Sequence, residues 1–599
     1  MKVGRLPVYI GFLPPQVGFM TINSKTKRFF PSSAKPRLLT THLLFATLFV
    51  LASTLQSSAQ NVVLTGAIAG RVTDQSGAIV PGASVVVRNL ATGLQHSTVT
   101  NHAGLYQFVA LMPGTYSVTT TGKGFHDVAA LVRVLVGNTT SQDVRLEVGT
   151  SGDTIKVTGK MPLLRPAESS ASTVLDRSFI DELPLNGRRY TDFTALTPNT
   201  SYDGDTGLIS IAGQQGGEDS GYANGNGSNA FTVDGTNATN NYFADIIGRY
   251  RIPYLYGEDA IQEFQVSVSP YSAVYGGGAG FVNAVTRSGS NTFHGSAFYY
   301  NRNSATGAND ALDEAAGFPK PQDNLQQFGA GVGGPILRNR LWFFVDYEQQ
   351  LRNDPISVIN QALVSAQPGF LSSNFGIPDK TPIPIPNGPL PVPGADVAPD
   401  ANNPVYLQQV SNVINALNSN LGSRPRKRND LVLTPRLDYQ ASARDGLFLS
   451  LNFNHFDSPG GVITDPTVGN YGLQTLANSS VHTFETSLGW THAFSSRLLS
   501  EFHAGTSQDN EISTPTGLAP NIPTVILDSP AFTLGNAAFS IGRVFERQYS
   551  LSERIDYVIG KHTLQFGFDW SRSSDADTND GGADPVSYTH LRAHETGRN

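Results

Sequence analysis

The constraint that narrows this chain most is a series of strict two-residue alternations joined by connections of two very different lengths. Leu564, Phe566, Phe568 and Trp570 share one parity, and Gln565, Gly567, Asp569 and Ser571 the other. Leu447, Leu449, Leu451 and Phe453 alternate with Ser450, Asn452 and Asn454, and Leu433, Leu437 and Tyr439 with Thr434, Arg436, Asp438 and Gln440. Side chains of a strand alternate faces, so each stretch predicts a strand with one apolar and one polar face. The turns between paired strands are tight: Ser442–Asp445, Ser495–Ser496, Ile559–Gly560. The connections between pairs are long: Leu351–Asn429, Asp457–Ser480, Gln508–Val544. Tight turns at one end and long loops at the other are the pattern of a transmembrane β-barrel. A soluble β-sandwich would alternate too, but it has little reason to collect its long loops at one end.

Composition narrows the function classes. Glycine (60 residues) and aromatics are plentiful and Met (4) is scarce, which suits strands, turns and interfacial rings. The formal charge is −7 and no basic patch is interleaved with aromatics, so nucleic-acid binding is not expected. The run Arg424-Pro-Arg-Lys-Arg428 sits among Pro and Asn and reads as a solvated loop or a lipid-headgroup contact. The chain has no Cys, which removes disulfide and thiolate chemistry.

Residues 1–59 carry an export signal. Lys25, Lys27, Arg28, Lys35 and Arg37 form a basic region, Leu43–Leu51 an apolar run, and Ser57-Ser58-Ala59 a small-residue cleavage site. Residues before Met20 look superfluous, so Met20 is a candidate start. The apolar run is short for a membrane helix and no later segment is longer. A membrane location would therefore require a closed barrel.

Residues 62–148 read as a small all-β domain. Ile68–Val72 and Ala83–Arg88 are strands, as are Leu105–Phe108 and Thr115–Thr121, separated by Gly- and Pro-marked turns at the spacing of a sandwich. The motifs Gly70-Arg-Val-Thr-Asp74, Val80-Pro-Gly-Ala83, Gly104-Leu-Tyr-Gln-Phe108, Pro113-Gly-Thr-Tyr-Ser-Val118 and Gly124-Phe125 resemble the carboxypeptidase regulatory-like domain. That resemblance implies a transthyretin-like accessory sandwich without a catalytic centre. Residues 149–162 form a linker containing Asp153, Thr154, Ile155, Lys156, Val157 and Thr158. This β-prone segment is either the last strand of the sandwich or a TonB box, a segment that pairs edge-on with a periplasmic partner.

From 163 to 290 the chain turns rich in Gly, Asn and Ser. Leu183-Pro-Leu-Asn-Gly187, Val233-Asp-Gly235, Ile261-Gln-Glu-Phe264, Tyr275-Gly-Gly-Gly278, Val285-Thr-Arg-Ser-Gly289 and Asn291-Thr-Phe-His-Gly295 resemble the plug and plug-to-barrel junction of TonB-dependent outer-membrane receptors, most of all the Oar-like group. Phe328–Pro335 followed by Asn339–Tyr347 resembles the first barrel hairpin of that group. The resemblance implies a mainly β protein: an accessory sandwich, an α+β plug, and over 291–580 the first part of an antiparallel barrel. Its junction motif comprises Tyr275, Gly276, Gly277, Gly278, Asn283, Thr286, Gly289, Asn291, His294 and Gly295. It implies TonB with its inner-membrane energising complex as partner, outer-membrane lipid around the wall, and an extracellular ligand of unknown identity. It implies no catalytic residue, no cofactor and no metal. The alternative is a surface adhesion or protein-export protein of the same group without nutrient uptake.

Other motifs carry less. Gly329, Gly331 and Gly334 have dinucleotide-fingerprint spacing, but Pro335 and an aromatic strand follow where a helix would have to open. Tyr275–Gly280 lacks the Lys-Ser/Thr of a phosphate loop. The twelve His are scattered; His492 and His503 fall in opposite strands of one hairpin, and no HExxH spacing exists. Asp438, Asp556 and Asp569 alternate onto the polar, lumenal face. Tyr299, Tyr300, Trp342, Phe343, Phe344, Trp490 and Trp570 are candidates for an interfacial girdle. The Pro-rich run Ile383–Gly394 predicts extended chain in an extracellular loop, as a lid or as a spacer. About nine barrel strands can be placed, near residues 293, 326, 341, 432, 447, 482, 498, 547 and 562. Plugged transporters use about 22, so the chain is expected to be a fragment. Residues 586–599 break the alternation and resemble translated adapter sequence.

Overall fold

The computed structural model describes residues 64–149, most of 171–358 and of 422–579, and short stretches elsewhere. The export segment, Asp153, Thr158, Tyr275–Gly278 and the Ile383–Gly394 run lie outside the described residues.

The first domain is a two-sheet sandwich. In one sheet Gly66–Thr73 lies between Leu105–Leu111, antiparallel, and Thr139–Ser141, parallel. The other runs Gln95–Val99, Ser84–Asn89, Gly114–Thr121, Asp127–Val134 and then Thr154–Val157. Inward residues of both sheets, among them Ile68, Val85, Tyr116, Val118 and Val132, make one apolar core. Its turns use side-chain caps: the Asp74 carboxylate accepts from the Ser76 and Ala78 amides, and Asn101 from those of Ala103 and Leu105.

The second domain is built on a five-stranded mixed sheet ordered Ala171–Asp176, Ile261–Val268, Gly280–Thr286, Ala230–Val233, Thr236–Asn237. Ala230–Val233 runs parallel to Gly280–Thr286; the other pairings are antiparallel. The short helix Arg177–Glu182 starts at Asp176, whose carboxylate caps the Ser178 and Phe179 amides. Tyr190, Phe193, Phe231 and Phe264 fill the core, and Phe456 and Val481 join it from the wall described next.

Nine antiparallel strands form that wall, each paired with its neighbours in sequence: His294–Asn303, Asn324–Leu337, Leu341–Asn353, Lys427–Gln440, Asp445–Ser458, Asn478–Ser495, Leu498–Thr514, Gly542–Ile559 and His562–Asn579. Every strand position read from the sequence is occupied. Four tight turns, after Leu337, Gln440, Ser495 and Ile559, lie at one end, and the four long connections at the other. No helix among the described residues is long and apolar enough to cross a membrane.

The wall is inside-out relative to a soluble sheet. Asn452, Asn454, Thr483, Glu485, Asp509 and Glu546 are buried against the plug, whereas Phe453, Trp490, Leu551, Phe566 and Phe568 are exposed. On the outer face of the fifth and sixth strands the cross-strand pairs run Asp445–His492, Leu447–Trp490, Leu449–Leu488, Leu451–Thr486, Phe453–Phe484, His455–His482. The ten residue steps from Asp445 to His455 span roughly 34 Å along the strand. At the usual barrel tilt this projects to roughly 26 Å, the height of a lipid-facing band. Polar pairs thus bracket an apolar ladder of membrane thickness.

Three expectations change. Trp342 and Phe344 are not girdle residues: both are buried, because their parity in Leu341–Asn353 is that of the plug-facing residues. Trp490 and Tyr299 do face outward, whereas Tyr300 shares the lumenal parity of Phe298 and lies toward the plug's Arg188. The basic run is not a solvated loop: Arg426 is fully buried and pairs with Asp354 at 2.7 Å, and Arg428 meets the same carboxylate. His492 and His503 do fall in opposite strands of one hairpin, His492 facing outward against Asp445 at 2.6 Å and His503 buried. In the tail, Ser587–Thr589 is a strand, paired in parallel with Val525–Leu527.

Candidate functional site

The candidate site is the contact between the plug and its wall, together with the tight-turn rim where the sandwich docks. Val233-Asp-Gly235 shows how local sequence builds it. Val233 pairs with Thr236, leaving a two-residue turn in which Asp234 and Gly235 have φ of 46° and 85°. Two positive φ values define the hairpin turn that an Asp-Gly pair favours. The turn aims the Asp234 carboxylate at Thr286, whose amide donates at 2.9 Å, and at Arg436 of the fourth wall strand, also at 2.9 Å. Arg436 then reaches Asp438 at 2.9 Å and the Thr286 hydroxyl at 3.0 Å, and its guanidinium lies over the Phe448 ring. Asp234, Arg436 and Thr286 are shielded from water, so the pairing is the condition for their burial.

Gly187 and Arg188 have φ of 91° and 57°, and this turn sends Arg188 across to Glu348 of the third wall strand at 2.9 Å. Arg188 also lies 3.6 Å from Glu258 and from Asp259, and Arg177 meets Asp259 at 2.7 Å. Burial works against the Arg188 charge, but Glu348, Glu258 and Asp259 more than offset it and hold its pKa above the ordinary value. Burial pushes the Glu258 carboxyl up to about 7, with Arg188 pulling it back. Asp259, Asp346 and Glu348 bring carboxylate oxygens within 4.8 Å of one another. Guanidiniums bind the first and last, while neither Asp346 oxygen has a hydrogen-bond partner among the described residues.

Further anchors are single hydrogen bonds to backbone and amides. Asn452 donates to the Leu255 carbonyl at 2.9 Å and Asn454 to the Tyr254 carbonyl at 3.0 Å. Asn237 donates to Gln548 at 2.9 Å, and Asn240 and the Gly248 amide to Asp509 at 2.8 and 2.9 Å. Tyr256 donates to Glu485, and burial, helped by that carboxylate, pushes its phenol well above the ordinary value.

The junction residues have distinct places. Asn283 and Thr286 sit in the plug strand Gly280–Thr286. A side chain at Gly289 would run into the backbone of Phe343, and one at Gly295 into the Gly331 carbonyl, so both mark close backbone approach. His294 begins the first wall strand, its Nδ1 3.2 Å from the Ser290 hydroxyl. Asn291 is the busiest. Its Oδ1 accepts from the Asn339 amide at 2.8 Å and from Trp342 Nε1 at 3.0 Å, and its Nδ2 donates to the Thr92 carbonyl of the sandwich at 2.7 Å.

The sandwich meets the plug at two more points. Arg133 pairs with Asp176 at 3.0 Å, and the Val136 amide donates to Glu263 at 2.7 Å. Burial drives the Glu263 carboxyl up to about 8. A cavity of about 620 Å³ remains between the three parts, bordered by Thr92 and Met112 of the sandwich, Glu263 and Arg287 of the plug, and Trp342 and Asp438 of the wall. The segment Thr154–Val157 pairs in parallel with Asp127–Ala130 at the sandwich edge. In the sequence, Asp234 and Glu263 lie in motifs that assign them no role, Arg188 directly follows the Leu183–Gly187 motif, and Arg436 stands only on a polar face. The readable signal was a full charge at plug-facing parity on a strand that otherwise alternates cleanly.

An inside-out nine-stranded antiparallel wall packed around a plug is the arrangement of an outer-membrane β-barrel domain. The family model "Outer membrane beta barrel domain" matches residues 285–596, more than half of the chain, and the chain belongs to that family. The match extends into the tail set apart above. "Carboxypeptidase regulatory-like domain" matches residues 67–147. Among curated proteins, the TonB-dependent transporter Oar of Myxococcus xanthus is 26% identical over 283 residues, covering 45% of this chain and 25% of that protein. Among solved structures, the outer membrane transporter YddB from Escherichia coli superposes with TM-score 0.44 at 12% identity, covering 68% of this chain and 48% of that one. The siderophore receptor PirA from Acinetobacter baumannii gives 0.40 at 13%, covering 68% and 49%. The chain thus spans about a quarter of the curated relative and about half of these structures. Its location is the outer membrane.

Proposed function

We propose that this chain is the plug-bearing part of a TonB-dependent outer-membrane transporter. One observation carries the reading: beside a limited apolar contact at Phe456 and Val481, the plug is held to the wall by discrete ion pairs and hydrogen bonds, typified by Asp234–Arg436 and Arg188–Glu348. Such contacts re-form with water when the plug shifts, whereas a continuous apolar interface would resist displacement. The relation to Oar supports the same reading.

In this mechanism an extracellular ligand binds loops and plug apex, and a periplasmic strand-forming segment is pulled. Thr154–Val157 suits that segment, because a strand on a sheet edge can exchange one edge partner for another. It has to leave Asp127–Ala130 before it can pair with TonB. No step makes or breaks a covalent bond.

The test is deletion of residues 153–158 in cells, scored separately for surface binding and for energised uptake of whatever ligand supports growth. Binding retained with uptake lost is the expected result. Uptake that survives removes the segment from the mechanism, and uptake insensitive to loss of TonB itself removes the transporter reading.

A further inference from the structure

We infer that His455, His482 and Asp457 form a binding site for a divalent transition-metal ion at the loop end of the outer wall face. His455 and His482 are direct cross-strand partners on the fifth and sixth wall strands, and Asp457 lies two residues beyond His455 on the same face. The two imidazoles stack with centroids 4.0 Å apart and planes 17° apart. His455 Nε2 is 2.9 Å from one Asp457 oxygen and His482 Nε2 is 3.9 Å from the other. One ligand atom from each of the three lies within 4.8 Å of the others.

His482 Nε2 is shielded from water yet has no hydrogen-bond partner among the described residues. A nitrogen lone pair or N–H in that state is costly, and a metal ion would use it. Two imidazoles and one carboxylate are the donor set of Zn²⁺, Cu²⁺, Ni²⁺ or Co²⁺, with water completing the shell. Ca²⁺ and Mg²⁺ want more oxygens than the site offers. A lipid phosphate meets the Asp457 carboxylate directly, so an anion is the poorer occupant. The backbone ladder already fixes both histidines in register.

Position gives the site a consequence. The fifth strand ends at Ser458 and the sixth begins at Asn478, so the cluster sits at the stem of the long connection between them. Just toward the membrane, Phe453 and Phe484 pair with ring centroids 4.9 Å apart and close off the lipid side. A metal here would pin both ends of the loop and restrict its base. The inference stands independently of the transport reading.

The experiment is a Zn²⁺ titration of detergent-purified, chelator-stripped protein at pH 7.5 against a chromophoric zinc indicator. One equivalent should bind. His482→Phe, an outward substitution that matches neighbouring Phe484, should weaken that equivalent at least ~30-fold. His492→Ala, at the opposite rim of the same strand, should retain it. X-ray absorption of the zinc form should show two imidazole nitrogens at ~2.0 Å. Wild-type protein that binds no Zn²⁺, or His482→Phe protein that binds as wild type does, overturns the inference. Gel migration of the unheated barrel checks that each variant is folded.

Discussion

The accessory sandwich and the barrel wall use the same alternation with opposite meaning. In the sandwich Val85, Val87, Val118 and Val132 are buried and their polar neighbours face water. In the wall Asn452 and Glu485 are the buried residues, at 0% and 3% exposure, while Phe566 is 58% exposed. Alternation establishes that a strand has two unlike faces; it does not say which face is inside. The surroundings decide. Water drives the valines together, whereas lipid takes the wall's apolar face and leaves its polar face to a plug with matching donors and acceptors. The sandwich is therefore held by area, and the plug–wall contact by specific pairs. One is insensitive to the loss of any single polar group, and the other is not.

The sharpest way to break that contrast is Arg436→Met. It removes a guanidinium shared by Asp234 and Asp438 and leaves both carboxylates without their counter-charge. Breaking a buried pair from one side costs about 3–5 kcal/mol. Denaturant titration should show that loss, and amide exchange in Gly280–Thr286 should rise while the sandwich strands stay protected. A loss under ~1 kcal/mol would mean that the plug is held by area after all.

Next in size is the outer face. Leu449 and Leu488 pair near the middle of the apolar ladder. Leu488→Arg should cost about 2–4 kcal/mol in lipid, falling toward zero when Arg replaces a residue at the ladder's ends. Folding into vesicles, compared with folding in detergent, measures it. A cost independent of depth would deny the membrane orientation assigned to the wall.

The join between the two regions should respond to pH. Glu263 accepts from Val136 of the sandwich, and burial raises its carboxyl from 4.5 to about 8. A raised acid favours the docked state while protonated. Its contribution is complete below 4.5 and is lost as pH rises through about 8. Docking should therefore weaken by up to ~1.4 kcal/mol per pH unit within that window. Glu263→Gln keeps an acceptor for Val136 and should flatten the dependence. Cross-linking of sandwich to plug across this range is the readout, and an unchanged slope in the variant would remove Glu263 as its source.

Much of this architecture is legible in the sequence, for a physical reason. Strand period and turn length are local, so the nine wall strands and the tight-turn end could be read directly. Facing was harder. Trp342 and Phe344 look like girdle residues by type, and only their parity with Asp346 and Glu348 turns them inward. Arg426 looks solvated by composition, but the chain brings Asp354 back beside it from the far end of a long connection. The plug's anchors needed the third dimension as well: Asp234 and Arg436 are 202 residues apart, and nothing local links them.

The smallest effect tests the same comparison from within the wall. Asp346 shares the lumenal parity of Arg436's partners, is fully buried, and has no hydrogen-bond donor on either oxygen among the described residues. It also sits with Asp259 and Glu348 in one acidic cluster. A paired charge and an unpaired one should answer mutation with opposite signs. Asp346→Asn removes like-charge repulsion at nearly constant volume and adds an amide that can donate to a neighbouring carboxylate. Stability should hold or rise by up to ~1 kcal/mol, since an unsatisfied buried group costs that much or more. Denaturation midpoints of Asp346→Asn and Arg436→Met measured side by side check it. If Asp346→Asn destabilises as Arg436→Met does, the Asp346 carboxylate has a partner that holds the plug, and the division between paired anchors and unpaired charge fails at this position.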